Sequence, residues 1–395
     1  MVLLDRSSTH LLQGVFKILA GGLGTLPPVW YNLIMETLCV TTENRVLTQL
    51  PAPLLAWYRE NARDLPWRRT DDPYRIWVSE IMLQQTRVAA VLGYYARFLE
   101  SFPTVEALAS APEQLLMKQW EGLGYYSRAR NLQKAAKLVA ESGGFPDTYE
   151  GLLALPGIGD YTASAIASAA FGRREAAVDG NVLRVVARLT DDHADIADPK
   201  TKKSVRAQVQ AIMPERETDI RVFNQAMMEL GATVCVPNGA PKCELCPAAN
   251  ICLGRSRGTA ELLPVKAAKK ARRKEDKTVF LLLRQGKVAL RRRSEAGLLA
   301  GLWEFPNVEG ALDEKRAPAA VEALGLAPKQ WKNKLTAKHI FTHVEWHMTG
   351  YTLEVSGEGA EDLVWMGETE LAEHAVPSAF ARYYEEARKH LKEDA

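Results

Sequence analysis

Leu155-Pro156-Gly157-Ile158-Gly159-Asp160-Tyr161-Thr162-Ala163 joins a helical stretch ending near Leu155 to an Ala-rich one running to about Phe171. Pro-Gly-x-Gly between two helices predicts a tight hairpin. Gly157 and Gly159 carry no side-chain bulk, so backbone N–H groups and the positive end of the second helix can approach a phosphate. Contacts of that kind hold a nucleic-acid backbone without reading its sequence. A plain turn in a helical bundle uses the same residues, so the hairpin points to DNA only in company.

Outward from the hairpin, the pattern is helical from about Leu47 to Cys252. Leu54, Leu55, Trp57 and Tyr58 begin it, and Val182, Val185, Val186 and Leu189 repeat the three-and-four spacing of an amphipathic helix. Past Gly258 the composition shifts. Lys266, Lys269, Lys270, Arg272, Arg273 and Lys274 form a basic, Ala-rich connector before the run from Thr278 to Leu283, which reads as a buried strand. Short β-like runs at Lys287 to Arg291 and Tyr351 to Val355 then mix with helical stretches near Ala319 to Leu324 and Pro377 to Lys389. The expected organisation is an extension over 1–46, a mainly α domain over 47–257, a basic linker over 258–276 and an α+β domain over 277–392.

Composition sets outer limits. A chain of 395 residues with 47% hydrophobic and 25% charged content makes two ordinary globular cores. Lys and Arg exceed Asp and Glu by only two, so any DNA-binding face is local. No apolar run reaches the roughly 20 residues of a membrane span, and the expectation is an intracellular monomer with no membrane partner, cytoplasmic or nucleoid-associated. Leu11 to Trp30 is apolar, but Lys17, Gly21-Gly22-Leu23-Gly24 and Pro27-Pro28 break it and no small-residue cleavage site follows, which argues against a signal peptide.

Four of the five cysteines crowd together: Cys235, Cys243, Cys246 and Cys252 are separated by seven, two and five residues, and Cys39 stands apart. Four thiolates in one short loop hold a metal centre rather than a disulfide framework. Structural zinc draws on two CxxC pairs or on a CxxC with paired histidines, and no histidine lies close in sequence. The loop suits one [4Fe-4S] cluster better, each iron corner taking one thiolate.

Two carboxyls stand out in the helical half. Asp72-Pro73 is an N-cap and first-turn pair that starts a helix through Ser79, Glu80 and Ile81. One turn to either side of Glu80 stand Ile76, Trp77, Leu83 and Gln84. A carboxyl among apolar neighbours tends to keep its proton, as a general acid must, whereas a solvated one does not. Asp179 precedes the amphipathic helix of Asn181 to Arg188 and reads as its N-cap, where backbone N–H groups are expected to lower its pKa and keep it ionised. Two carboxyls with environments pushed apart divide into an acid and an electrostatic stabiliser.

Hairpin, Asp179 and four-cysteine loop, in this order, resemble the endonuclease III superfamily of DNA base-excision glycosylases. Within it, Ser79-Glu80-Ile81-Met82-Leu83-Gln84-Gln85-Thr86, Gly122-Leu123-Gly124-Tyr125-Tyr126-Ser127-Arg128-Ala129-Arg130-Asn131 and Phe223-Asn224-Gln225-Ala226-Met227-Met228-Glu229-Leu230-Gly231 resemble the MutY-type adenine DNA glycosylases. The likeness covers nearly all of residues 50 to 380. It implies a two-lobed helix-hairpin-helix glycosylase domain with an iron-sulfur cluster loop at 235–252, then a Nudix-like α+β recognition domain. It further implies removal of adenine mispaired with 8-oxoguanine or guanine in double-stranded DNA. Glu80 is then the acid that protonates the adenine ring, and Asp179 stabilises the cationic sugar. Gln85 and Tyr125 enter the duplex, while Trp67, Arg68 and Glu229 line the adenine pocket; Tyr125 as ordinary core is the structural alternative.

Four positions bear on details. Lyase relatives of the endonuclease III type carry a lysine nucleophile where this chain has Tyr161, and a phenol cannot form the Schiff base, so the resemblance implies a monofunctional enzyme. The rivals are a bifunctional lyase and a non-catalytic lesion-binding protein. Gly297-Leu298-Leu299-Ala300-Gly301-Leu302-Trp303-Glu304-Phe305-Pro306 resembles the Nudix-like domain, yet no R-E-x-x-E-E metal helix follows Trp303, which implies binding without hydrolysis. Phe341-Thr342-His343 resembles the loop, commonly Phe-Ser-His, that reads 8-oxoguanine, with one added methyl at Thr342; the plain alternative is a β-turn with a buried phenylalanine. The first two cysteines have seven intervening residues where the family usually has six, and the extra one can bulge beside Pro237, Gly239 and Pro241.

Overall fold

The computed structural model describes residues 45–267 and 271–393; the extension read over 1–46 lies outside them except for its last two residues. In chain order the helices of the first domain are α1 (Pro51–Asn61), α2 (Pro73–Leu83), α3 (Val88–Ser101), α4 (Val105–Ser110), α5 (Glu113–Gln119), α6 (Ser127–Glu141), α7 (Tyr149–Leu153), α8 (Asp160–Phe171), α9 (Gly180–Thr190), α10 (Pro199–Ile212), α11 (Glu217–Thr233) and α12 (Leu253–Ser256). Then follow β1 (Arg273–Arg284), β2 (Lys287–Arg292), β3 (Trp303–Glu304), β4 (Asn307–Glu309), α13 (Ala317–Glu322), β5 (Ala327–Ile340), β6 (Val344–Ser356), β7 (Leu363–Met366), α14 (Glu368–Glu373) and α15 (Ala381–Glu393). Mainly α followed by α+β is thus the architecture, and no helix among the described residues is long and apolar enough to cross a membrane.

The chain divides into two compact units, which split the helical half. One joins residues 45–63 to 174–266; the other joins 64–173 to the described residues from 267 on. The first unit packs α1, α9 and α11 around Leu54, Val182, Val186, Phe223 and Leu230, all buried. The three-and-four spacing of α9 supplies the apolar stripe, and its other face is buried too, with Arg184 and Arg188 inside.

In the second unit, helices α2 to α8 enclose Trp77, Phe98, Trp120 and Leu132, and Leu302 and Ala375 from the C-terminal part are buried in the same core. Its sheet runs β3-β2-β1-β6-β5, with β4 also on β1 and β7 also on β2. β1 lies parallel to β6 and antiparallel to β2. Alternate residues of β1 serve two layers: Val279 and Leu281 join Trp346, Phe380 and Tyr383 beneath α15, while Phe280 and Leu282 join Tyr351, Ala317 and Val321 beneath α13. A strand buried on both faces reads as an unbroken apolar run, which is why 279–283 was recognisable.

Two details depart from the sequence reading. β1 begins at Arg273, inside the stretch read as linker, because Arg273 and Lys274 pair in register with Val344 and Glu345 of β6. β5 is a long strand where none was anticipated. It sits at the end of the sheet order and is exposed along most of its length, so its apolar alternation is confined to Leu335 and Ala337.

Candidate active site and DNA interface

Glu80 lies in the last part of α2, whose start is set as expected: Asp72 caps it, accepting from the Tyr74 N–H at 2.9 Å, with Pro73 in the first turn. Ile76 and Trp77, one turn back, are buried, and Glu80 itself is half-buried rather than solvated. Its Oε2 accepts the hydroxyl of Tyr161 at 2.8 Å. Tyr161 reaches it from the second position of α8, just past the hairpin.

The hairpin forms where the sequence placed it. α7 ends at Leu153, Gly157 adopts φ +78°, and Gly159 is the N-cap of α8. Ile158 is buried and anchors the turn, while Gly157 and Gly159 face solvent. Tyr149 donates to Asp160 at 2.5 Å and ties the two helices together. The turn therefore offers its backbone outward, as phosphate binding needs.

Gln85 and Tyr125 come together in the same unit. Both hold left-handed backbones, φ +59° and +47°, and the Tyr125 hydroxyl donates to Gln85 Oε1 at 2.6 Å. Tyr125 is 46% exposed, which disposes of the core alternative. The same hydroxyl meets Thr342 Oγ1 at 2.5 Å, so the loop read as the lesion reader touches the exposed tyrosine. Phe341 in that loop packs edge-on to His339 and Trp346 at 4.5 and 4.8 Å, and its N–H donates to Val344 O, closing the turn; Thr342 and His343 are exposed. Trp67 is elsewhere in this unit, buried edge-on to Tyr95 at 5.2 Å, with Arg68 half-buried in the same short 3-10 turn.

The first unit holds Asp179, Glu229 and the cysteines. Asp179 caps α9 as read, accepting from the N–H groups of Asn181 and Val182 at 2.9 and 2.8 Å and from the Asn181 amide at 2.7 Å. The expected lowering of its pKa does not follow. Burial pushes the carboxyl above the ordinary aspartate range, outweighing the hydrogen bonds and Arg184. Asn181 passes the contact on: its Oδ1 accepts from Arg184, which also donates to the carbonyls of Gly231 and Cys235 at 2.7 and 2.8 Å. Asn181 packs so closely on α11 that a Cβ at Gly231 would lie 2.6 Å from its own.

Glu229 is fully buried, and Arg63 holds it with Nε and Nη2, each at 2.7 Å, and with its backbone N–H at 3.1 Å. Sequence reading missed Arg63, Arg184 and Arg128. The last two sat inside recognised stretches, but nothing local marks an arginine whose partners are distant carbonyls.

Cys235, Cys243, Cys246 and Cys252 are free thiols around one cavity, otherwise lined by apolar side chains with Arg188, Lys242 and Arg255. Arg188 donates to Cys235 Sγ at 3.3 Å. Burial raises the pKa of Cys243 and Cys252 and pushes that of Cys246 up to about 11. Among the described residues, no set of three or more His, Cys, Asp or Glu side chains is placed to hold a single metal ion. An all-thiol donor set spread around a space, with cations behind it, fits a multi-iron cluster better than one zinc ion.

The chain is similar to known proteins over much of its length. Residues 78–215 match the model of the HhH-GPD superfamily of base excision DNA repair proteins, and residues 278–386 match a NUDIX domain. Fold and site define a base-excision DNA glycosylase with a Nudix-like domain appended. Human adenine DNA glycosylase is 35% identical over 86% of this chain and 74% of its own length, and the rat enzyme is 34% identical over 96% and 84%. A solved thermostable thymine-DNA glycosylase covers 54% of this chain and 98% of its own, at 28% identity and a TM-score of 0.49. The chain belongs to the adenine DNA glycosylase family, enzymes of base-excision repair that act on DNA.

Proposed function

We propose that this enzyme is monofunctional, hydrolysing the N-glycosidic bond of adenine opposite 8-oxoguanine or guanine and leaving an abasic site. The observation that carries the reading is the hydrogen bond from Tyr161 to Glu80. The position that would hold a lyase lysine holds a phenol instead, and that phenol orients the acid. Adenine is a poor leaving group as an anion, so a proton from Glu80 to a ring nitrogen lowers the barrier. As the bond breaks, positive charge grows on the sugar and a fixed carboxylate offsets it, the role assigned to Asp179. Its burial supports that role. A carboxylate desolvated in the ground state gains most when a cation develops beside it, so the interaction favours the transition state.

Gln85 and Tyr125 fill the gap left by the extruded base, Trp67, Arg68 and Glu229 serve the adenine, and Phe341, Thr342 and His343 recognise 8-oxoguanine. Flipping costs a few kcal/mol, less at a mispair. Cys235, Cys243, Cys246 and Cys252 would hold one [4Fe-4S] cluster, whose contribution is structural. Single-turnover release of adenine from a duplex with 8-oxoguanine opposite adenine tests the reading. Wild type should release adenine, with strand nicking only after alkali, and Glu80→Gln should not. Nicking without alkali would make the enzyme a lyase; lesion binding without base loss would make it a recognition protein.

A further inference from the structure

α2 ends without a cap of its own. Its last turn has no basic side chain, and Gln84 follows with no capping N–H. Carbonyls at a helix end need donors from elsewhere. Thr86 N–H serves Leu83, and Arg128 reaches three more: its Nη1 shares its two N–H groups among the carbonyls of Ile81, Met82 and Gln84 at 2.6, 3.2 and 2.8 Å. Its Nη2 donates to the carbonyls of Leu123 and Gly124 at 3.0 and 3.1 Å. One guanidinium thus clamps the end of α2, just before Gln85, to the loop that leads into Tyr125. Trp120 closes that loop with its indole N–H on Gly124 O at 3.1 Å and lies under the guanidinium, 5.3 Å from its ring centre.

Both residues beyond the clamp hold backbones that non-glycine residues rarely adopt, and such conformations persist only where the surroundings over-determine them. We propose that Arg128 is a positioning residue for lesion recognition: by binding three carbonyls at the end of α2 and two on the loop before Tyr125 it sets Gln85 and Tyr125 at the spacing required to enter the duplex together. The inference rests on the reading that these two side chains enter DNA. A planar fork is needed, since the single ammonium of lysine cannot reach both segments in fixed geometry.

The test compares wild type, Arg128→Lys and Trp120→Phe, all with bound cluster, on two duplexes of equal length. One carries 8-oxoguanine opposite a non-hydrolysable adenine analogue with a 2-aminopurine alongside; the other is undamaged. Arg128→Lys should lose about tenfold in lesion affinity, as expected for one or two charge-assisted bonds, and lose the 2-aminopurine fluorescence rise that reports unstacking. Its affinity for undamaged DNA, held by phosphate contacts, should stay within about twofold. Equal loss on both duplexes, or no loss, overturns the proposal. Trp120→Phe loosens the same loop without stranding a charge, so it decides the matter if Arg128→Lys does not fold: a selective loss of about threefold supports the clamp, and its absence overturns it. Wild type that fails to prefer the lesion duplex would instead refute the proposed function.

Discussion

Gly157 lies so close to Asn131 of α6 that a Cβ built on it would stand 2.7 Å from Asn131 Cβ. Gly159, two residues on, has open space where its Cβ would point and an ordinary negative φ of −103°. The two hairpin glycines therefore do different work. Gly157→Ala combines an unfavourable left-handed backbone with a collision and should cost about 2–4 kcal/mol in denaturant unfolding. Gly159→Ala should leave stability within about 0.5 kcal/mol. Its methyl should instead weaken binding to undamaged DNA if the turn approaches a phosphate. Unchanged DNA affinity in Gly159→Ala would remove the hairpin from the interface.

Asp179→Asn separates stability from activity. With its folded pKa raised, the stability contributed by Asp179 is fully present below the ordinary value of 3.8 and is lost as pH rises through the folded value. Asparagine keeps an oxygen for the two α9 N–H groups but carries no charge to desolvate. The variant should gain stability relative to wild type as pH rises from 4 to 8, while single-turnover excision falls by about 10²–10³, the range for removing one electrostatic stabiliser. Parallel unfolding curves across that pH range, with no relative gain, would contradict the burial effect.

Arg63→Met would remove both charge-assisted bonds that Arg63 gives the buried Glu229 carboxylate. The loss should be on the order of 3 kcal/mol in unfolding free energy, at the low end for breaking a buried pair because the Arg63 side chain is itself 40% exposed. Adenine excision should fall with it. Normal stability in this variant would mean that the Arg63 pair contributes little to holding the carboxylate.

Tyr161→Phe removes the hydroxyl that donates to Glu80 and keeps the ring. A hydrogen bond of this kind is worth about 0.5–1.5 kcal/mol, so excision should slow by roughly 2- to 12-fold without loss of lesion affinity. A loss of a thousandfold would place the phenol in the chemistry itself.

What the sequence made legible was local. The Asp72 and Asp179 caps, the hairpin, the cysteine loop and the doubly buried run at 279–283 each depend on residues within a turn or two. What it hid was set by distant partners. Arg63 meets Glu229 across 166 residues, and Arg128 meets Ile81 across 47. The pKa direction of Asp179 failed for the same reason: the capping bonds are local, but the burial that outweighs them comes from tertiary packing. β5 escaped because its first half is exposed and only Leu335 and Ala337 turn onto the core, too short an apolar alternation to stand out.

Among the described strands, β5 pairs only with β6, so its other edge presents a row of backbone donors and acceptors that a second chain could extend. Lys329, Lys332, Lys334 and Lys338 stand exposed along it, and two bulges interrupt its register near Pro328 and Trp331. Lys332, Lys334 and Lys338 already pair with Glu354, Glu314 and Glu345, so a second β5 laid alongside would have to fit a kinked ribbon crowded with long, ion-paired side chains. Charged side chains and broken register thus guard the strand against aggregation, a protection that neutral substitutions at those four lysines would erode.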